Sequence, residues 1–323
     1  MSKPKSAHKN QHTVPRCYLK SWTDPESPPG YEPYLWVLDV KTGEIKSRAP
    51  KNVFVENDFY TIRGQDGSRD LRLEDGLGGL EHAFDRIRRE VIARHKAPTF
   101  IARLELAAFV AALKWRTVTV RDHWRSQFGE LLEDAEGIEA TIQAASKEEL
   151  DQIAATPRLK SSDKISVSIN EVRDLVENTM EYVLPPGLEV WFSGLSQMSM
   201  IVLCAEGPRQ FITSDNPCVI VDQSVRKKSF YPATIFDHAV QISVAVSPSQ
   251  ALVYSHLAIP FSYTRATPGV VDALNRRTVH RAKELIASRK GIVQEWRDRM
   301  MKPGAMKESL KSKYNAKGPK DDP

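Results

Sequence analysis

The sequence lacks any apolar run long enough to cross a membrane as a helix. A membrane helix needs about 20 consecutive apolar residues, and the longest candidate, Leu104–Leu113, is shorter and is interrupted by Glu105. The lysines near the N-terminus are not followed by the apolar segment of a signal peptide. These absences predict a cytoplasmic protein without membrane contact.

Cysteine is scarce, and the common catalytic motifs are missing. Cys17, Cys204 and Cys218 are the only cysteines, and no two of them have CxxC spacing. This excludes a disulfide framework and a thiolate zinc site. There is also no P-loop and no GxGxxG, HExxH or GxSxG motif. The sequence therefore carries no signature of the common nucleotide-binding, metalloprotease or serine hydrolase classes.

Positive charge is concentrated at the two ends of the chain. The net charge is +5, but residues 1–12 hold three lysines and no acid, and residues 301–323 hold six lysines and three acids. We expect disordered basic ends at 1–10 and 301–323 and a single α+β domain at 11–300. Basic ends can contact nucleic acid weakly and without sequence preference. The alternative is that they only keep the chain in solution.

Two long segments give the strongest helical pattern. Apolar residues recur at steps of three and four through Leu73–Val91 and again through Ile101–Trp115. The short connection predicts two helices packed antiparallel. A further helix is expected over Ile169–Val183, ended by Pro185, and a final one over Pro268–Ser288.

Short apolar runs divided by turn residues predict the strands. Tyr34–Val40 and Glu44–Ser47 are typical of a hairpin, and Asp58–Arg63 of a third strand. A predicted antiparallel meander consists of Met200–Ala205, Gln210–Thr213, Cys218–Val221, Gln241–Val246 and Ala251–Tyr254. The expected fold is α+β and mainly helical, with the long helix pair packed on a small antiparallel sheet.

The segment Ser214-Asp215-Asn216-Pro217 is the first candidate site. An apolar strand leads into it, and another apolar run follows it. Asp and Asn favour tight turns, and Pro stiffens the exit, so the segment can be a plain turn between two core strands. Alternatively, it presents the Asp215 carboxylate and the Asn216 amide together at a sheet edge.

His12 is the second candidate, because it stands just before a predicted helix that begins near Pro15. A neutral imidazole can act as a base or as a metal ligand. The alternative is that it only interacts with the chain end.

The third candidate is one polar flank of the first long helix, together with the basic end of the second. The flank consists of Glu74, Glu81, Asp85 and Arg88, spaced so that they share one side of the helix. Carboxylates at this spacing can hold a divalent cation. Arg116 ends the second helix and could meet the flank. The alternative is a salt-bridged pair of helices.

These features together resemble the bacterial family catalogued as domain of unknown function 4238, over roughly residues 10–290. The motifs that carry the resemblance are Gln11-His12-x-Val14-Pro15-x-x-Tyr18-Leu19, Glu56-x-Asp58-Phe59-Tyr60, Thr213-Ser214-Asp215-Asn216-Pro217 and Val246-Ser247-Pro248, with Glu74, Glu81, Arg116 and Asn275. Arg16 and Cys17 depart from the pattern, in which Gln and an aromatic residue are expected. The resemblance implies that His12 and the Asp215 turn are motif positions, but it brings no activity.

We therefore expect the distant motifs to converge into one polar site. The candidate catalytic residues are His12, Glu81, Arg116, Asp215, Asn216 and Asn275. In this hypothesis His12, Glu81 and Asp215 are metal ligands or acid–base groups, and Arg116 holds an anionic group of the substrate. A metal-assisted hydrolase, including one that acts on phosphodiesters, would use such a set with a divalent metal. The alternative is a non-catalytic protein- or nucleic-acid-binding module in which these residues form a structural polar network.

Overall fold

The computed structural model describes residues 10–63, 68–155, 167–223 and 234–301. The helices are α1 (Arg16–Leu19), α2 (Arg72–Ile87), α3 (Phe100–Trp115), α4 (Val118–Ala144), α5 (Lys147–Ala155), α6 (Ile169–Glu177), α7 (Thr179–Ser196), α8 (Pro268–Val279) and α9 (Lys290–Met301). The strands are β1 (Asn10–His12), β2 (Leu35–Asp39), β3 (Ile45–Arg48), β4 (Val55–Asn57), β5 (Ile62–Arg63), β6 (Arg69–Asp70), β7 (Ser199–Ala205), β8 (Thr213–Ser214), β9 (Val219–Asp222), β10 (Val240–Ser247), β11 (Gln250–Ser255), β12 (Tyr263–Ala266) and β13 (Glu284–Ala287). The ends predicted to be disordered lie outside the described residues, except for Asn10 and Met301.

The strands form two larger sheets and two short pairs. One sheet has the order β12-β7-β11-β10-β9 and the other β3-β2-β13-β8, while β1 pairs with β4 and β5 with β6. The predicted α+β class is confirmed. The expected single small sheet is not what forms, because β8 joins the hairpin β2–β3 through β13 instead of continuing the meander. Strand β12 adds a parallel neighbour to β7.

Helices α2 and α3 pack against each other, with the ring of Phe84 stacked on that of Phe109 at 3.8 Å between centroids. Both side chains are buried; Phe84 lies on the predicted apolar stripe of the first helix, whereas Phe109 lies beside the stripe predicted for the second, whose first residue, Ile101, is exposed. Only the last turn of the predicted first helix is not α-helical, because Arg88–Ile92 forms a π-helical turn. Tyr18 from α1 packs on both phenyl rings, so the N-terminal segment lies against the helix pair.

Two predicted boundaries are wrong, for different reasons. The strand expected over Asp58–Arg63 is reduced to β5, because Asp58 takes a positive φ of 51° and starts a turn. Pro185 does not end a helix: α7 continues through it. The helix instead breaks at Asn178, and the packing of α7 on α3 overrides the proline signal. Gly187 makes that packing possible, since an added Cβ would lie 2.2 Å from the Trp115 ring.

The final helix predicted over Pro268–Ser288 is also wrong in its second half. Helix α8 ends at Val279, and Glu284–Ala287 forms β13 between β2 and β8. Leu285 and Ile286 are completely buried there. A strand that is buried on both faces shows an unbroken apolar run, which periodicity alone cannot distinguish from a helix. Among the described residues, no helix combines the length and the apolar character that a membrane span requires.

Candidate functional site

Strand β1 places His12 at the edge of the helix pair. Its register with β4 sets His12 opposite Val55, and the backbone N–H of Thr13 continues the pairing with a 2.8 Å hydrogen bond to the Phe54 carbonyl. Phe54 takes a positive φ of 53°, which bends the chain just before β4. Pro15 then turns the segment into α1. The opening motif is thus a short strand followed by a helix, with His12 at the junction.

The two ring nitrogens of His12 have different surroundings. One interacts with the backbone of Pro50, which has no N–H, so the ring must donate to the Pro50 carbonyl. Nε2 is buried and has no hydrogen-bond partner, which leaves Nδ1 as the donor. Burial lowers the pKa of His12 below 6.5, and the charge of Arg116 acts in the same direction. The ring is therefore neutral at pH 7, with the Nε2 lone pair free.

Arg116 is the centre of the polar cluster around His12. It caps the C-terminal end of α3, and its side chain is 2% exposed. Nη1 donates to Glu81 Oε1 at 2.7 Å, and Nη2 donates to the Tyr60 hydroxyl at 2.8 Å and to the main-chain carbonyl of His12. Burial disfavours the charged guanidinium, but the interactions with Tyr60 and Glu81 outweigh the effect of burial and raise the pKa of Arg116. A permanent buried cation thus joins β1, α2 and the segment after β4.

Glu81 lies on the polar flank of α2 that the helical spacing predicts. Its other oxygen, Oε2, accepts a weak hydrogen bond from the Cys17 thiol at 3.9 Å. Burial, and then the charge of Glu81, raise the pKa of Cys17 to about 12. The thiol therefore stays protonated at neutral pH and is not a nucleophile.

The remainder of the flank also holds structure in place. Glu74 accepts a hydrogen bond from the buried Gln11 side chain at 3.1 Å, and Asp85 pairs with Arg88 at 2.9 Å. These contacts are salt bridges and an anchor for β1. They favour the interpretation of the flank as a salt-bridged surface over that of a cation site.

Asp215 lies at the turn after β8, where its carboxylate accepts two backbone hydrogen bonds. Oδ1 accepts from the N–H of Lys283 at 2.9 Å and from that of Glu284 at 3.2 Å. Burial nevertheless raises the pKa of Asp215, because it outweighs those bonds. The neighbouring Asn216 is 4% exposed, and its Oδ1 has no partner. Asp215 therefore fixes the start of β13 to this turn, whereas the Oδ1 atom of Asn216 is a hydrogen-bond acceptor without a partner.

Asn275 uses both ends of its amide within the fold. Its Oδ1 accepts from the backbone N–H of Ile212 at 3.0 Å, and its Nδ2 donates to the Gln210 carbonyl at 2.8 Å. The side chain is 2% exposed. It tethers the irregular segment that leads into β8 onto α8.

The structure gathers three of the six candidate residues. Contacts among the described residues join His12, Glu81 and Arg116 into one cluster, and none of these contacts reaches Asp215, Asn216 or Asn275. In the same parts of the chain, no three His, Cys, Asp or Glu side chains lie together as metal ligands. The described contacts therefore do not bring together His12, Glu81 and Asp215, the set expected to bind a metal. The Asp215 carboxylate instead accepts hydrogen bonds from the main chain at the start of β13.

Tyr60 is the member of the cluster that sequence reasoning did not select. Its hydroxyl donates to the His12 carbonyl at 3.0 Å, and its backbone N–H donates to Gln11 Oε1 at 2.8 Å. Tyr60 also lines a cavity of about 70 Å³ with Phe59, Arg121, Arg125 and residues 176–181. The position of Tyr60 in the motif Glu56-x-Asp58-Phe59-Tyr60 was the sequence signal that could have identified it.

A family model described as "Protein of unknown function (DUF4238)" matches residues 10–291. The chain belongs to this family. The match covers both the His12 cluster and the Asp215 turn. Searches of the curated proteins and of the solved structures found no match. The comparisons therefore give the chain a family without an activity.

Proposed function

We propose that this DUF4238 protein is a hydrolase in which His12 acts as a general base. The observation that carries the proposal is the buried Nε2 of His12, which has no partner although the ring is neutral. A buried polar atom without a partner costs free energy and calls for an explanation, and a role in proton transfer is one such explanation. The hydrogen bond from the opposite ring nitrogen to the Pro50 carbonyl holds the base in one tautomer.

The other members of the cluster position His12. Arg116 and Tyr60 hold its main-chain carbonyl, and Glu81 neutralises Arg116. In the proposed step Nε2 takes a proton from a water molecule, and the water oxygen bonds to the carbonyl carbon or the phosphorus of the substrate ester. The bond from that atom to the leaving alcohol oxygen breaks, and the His12 imidazolium gives its proton to the leaving alcohol. Arg116 is a positioning residue in this scheme, because both terminal nitrogens of its guanidinium are already engaged.

A metal-assisted version of the reaction needs more ligands than the cluster offers. His12 and Glu81 could supply two, and a catalytic metal generally takes three protein ligands. The proposal therefore assigns the proton transfer to His12 and gives Asp215 and Asn216 no ligand role. A cytoplasmic location and weak contact of the basic ends with nucleic acid stay part of the proposal.

A non-catalytic binding module is the second candidate, and the contacts of Arg116 favour it. A guanidinium that joins Glu81, Tyr60 and His12 is what a purely structural network would use. In that case the cluster only fixes the N-terminal strand, and the function lies in a surface that binds a partner.

His12→Asn separates the two candidates, because the Asn amide nitrogen occupies nearly the position of Nδ1. The variant keeps a donor for Pro50 and removes only the Nε2 lone pair. We expect it to fold with an unchanged melting temperature and to lose about 100-fold or more of wild-type hydrolysis on a panel of chromogenic esters and phosphodiesters. Hydrolysis at the wild-type rate by the folded variant, or none by the wild type with or without divalent metals, would favour the binding module.

A further inference from the structure

The long helix α4 carries an apolar stripe that is covered only over its first part. Apolar residues recur along it at steps of four and three, at Trp124, Phe128, Leu131, Ala135, Ile138 and Ile142. Trp124 and Phe128 pack against the core cluster that contains Leu184. Leu131, Ile138 and Ile142, which form the exposed stripe, are 50%, 62% and 48% exposed. A row of apolar side chains on one exposed helix face is typical of a binding surface.

Acidic residues flank the exposed stripe. After Arg125 the helix holds no basic residue, and its acids there are Glu130, Glu133, Asp134, Glu136 and Glu139. Glu136 pairs with Arg173 of α6 at 2.7 Å, whereas Glu133, Asp134 and Glu139 form no ion pair among the described residues. A second copy of the chain docked on the stripe would bring like charges together, which is unfavourable. The surface therefore suits a basic partner.

The C-terminal tail, residues 302–323, has the opposite charge. It lies outside the described residues, and its sequence holds six lysines and three acids. Its larger apolar residues, Met306, Leu310 and Tyr314, follow one another at steps of four. Residues at that spacing share one side of a helix. The tail therefore combines lysines with an apolar row that matches the exposed stripe.

The tail begins close to α4. Met301, the last described residue, packs on the β2–β3 turn, where a Cβ added at Gly43 would lie 2.6 Å from its Cε. In the same turn the Val40 N–H donates to the Lys283 carbonyl at 2.9 Å, and Lys283 Nζ lies 3.3 Å from Asp122 Oδ2 near the start of α4. From Asp122 to the end of the exposed stripe the helix spans about 30 Å, and an extended chain covers about 3.3 Å per residue. The tail is therefore long enough to lie along the stripe.

The exposed stripe and the tail complement each other in charge and in hydrophobicity. We propose that the C-terminal tail docks on the exposed stripe of α4 in the same molecule. Met306, Leu310 and Tyr314 cover the stripe, and the lysines between them reach its acidic flanks. Because the tail is tethered to α9, its effective concentration at α4 is high, and exposed ion pairs with a modest apolar contact suffice. The docking is independent of the hydrolase proposal, and nucleic acid would compete with α4 for the same lysines.

Carbodiimide cross-linking of the full-length protein tests the docking, because the reagent joins a lysine amine only to a carboxylate in contact with it. An equal mixture of unlabelled and nitrogen-15-labelled protein is treated at low ionic strength, digested and analysed by mass spectrometry. We expect cross-links from the tail lysines to Glu133, Asp134 or Glu139 in which both halves carry the same label, since such pairs form within one chain. Their yield should fall several-fold in about 0.5 M sodium chloride, where surface charges are screened.

Ile138→Ser removes the most exposed side chain of the stripe, and Leu257→Ser is the matched control, because Leu257 is 63% exposed and lies after β11. Both variants should melt at the temperature of the wild type. Ile138→Ser should lower the yield of the cross-links by about fivefold or more, whereas Leu257→Ser should leave it unchanged.

Three results would overturn the proposal. The first is the absence of these cross-links, or an equal yield in Ile138→Ser and the wild type. The second is cross-links that join labelled to unlabelled chains, which would assign the stripe to a second copy. The third is tail lysines joined evenly to acids over the whole surface, which would show a tail without a docking site.

Discussion

Arg116 donates a hydrogen bond to the main-chain carbonyl of His12, 104 residues earlier in the chain. The same guanidinium is held by Glu81 on α2. The main chain of His12 is therefore fixed by a residue at the end of α3, while its ring interacts with Pro50. Loss of Arg116 should disturb the fold, and loss of the His12 ring should disturb only the chemistry.

Arg116→Met should lower the free energy of unfolding by about 3 kcal/mol. Removing one partner of a buried pair leaves the other without compensation, and Glu81 is partly exposed, which sets the loss near the low end of the usual range. Arg173→Met, which breaks the exposed pair with Glu136, should cost less than about 1 kcal/mol. Urea unfolding measures both variants. Equal losses would contradict the anchoring role of Arg116.

Asp215→Ala and Asp215→Asn should differ in stability. Alanine leaves the backbone N–H groups of Lys283 and Glu284 without their acceptor, at a cost of about 2 kcal/mol. Asparagine keeps an acceptor oxygen and removes a buried charge, so it should match the wild type or exceed it at pH 7. Thermal and urea unfolding report the difference. An asparagine variant as unstable as the alanine variant would show that the charge itself holds the turn.

The stability contributed by His12 should depend on pH with a defined sign. Because burial lowers its pKa in the folded state, the unfolded chain binds more protons below pH 6.5. The contribution is therefore complete above pH 6.5 and is lost as the pH falls towards the folded pKa. The difference in unfolding free energy between the wild type and His12→Asn, measured from pH 8 to pH 5, should shift against the wild type as the pH falls. A constant difference would mean that the ring does not titrate differently on folding.

Two glycine substitutions should have opposite effects. A methyl group at Gly187 would lie 2.2 Å from the Trp115 ring, so Gly187→Ala should destabilise the protein by about 1–3 kcal/mol. Gly129 lies inside α4, with nothing near the position of an added Cβ, and Gly129→Ala should stabilise by about 0.5–1 kcal/mol. Melting temperatures of the two variants give the comparison. Stabilisation by Gly187→Ala would contradict the tight packing of α7 on α3.

Local patterns predicted the elements that depend on local signals. The apolar stripe of α2 and the hairpin β2–β3 follow directly from residue spacing. The helix signal over Glu284–Ala287 was misleading, because its burial between two strands is a tertiary effect. Pro185 was misleading for the same reason, since packing on α3 maintains the helix through it.

The site could be predicted in part. Glu81 and Arg116 were expected to meet across the helix pair, and the two side chains form an ion pair there. The sequence could not show that the side chains of Asp215 and Asn275 form hydrogen bonds with backbone groups, because those partners lie about 65 residues away in the chain. Tyr60 joins His12 through a hydrogen bond from its hydroxyl to the His12 carbonyl, and its place in the motif Glu56-x-Asp58-Phe59-Tyr60 was the sequence signal for it.

The most direct test of the account is the state of the His12 ring itself. Nitrogen NMR of protein labelled in its histidines, with His12→Asn to assign the signals, reports which ring nitrogen carries the proton. We expect at pH 7 a neutral ring protonated at Nδ1, with Nε2 unprotonated and titrating below pH 6.5. A ring that is charged at pH 7, or protonated at Nε2, would contradict the role of His12 as the base.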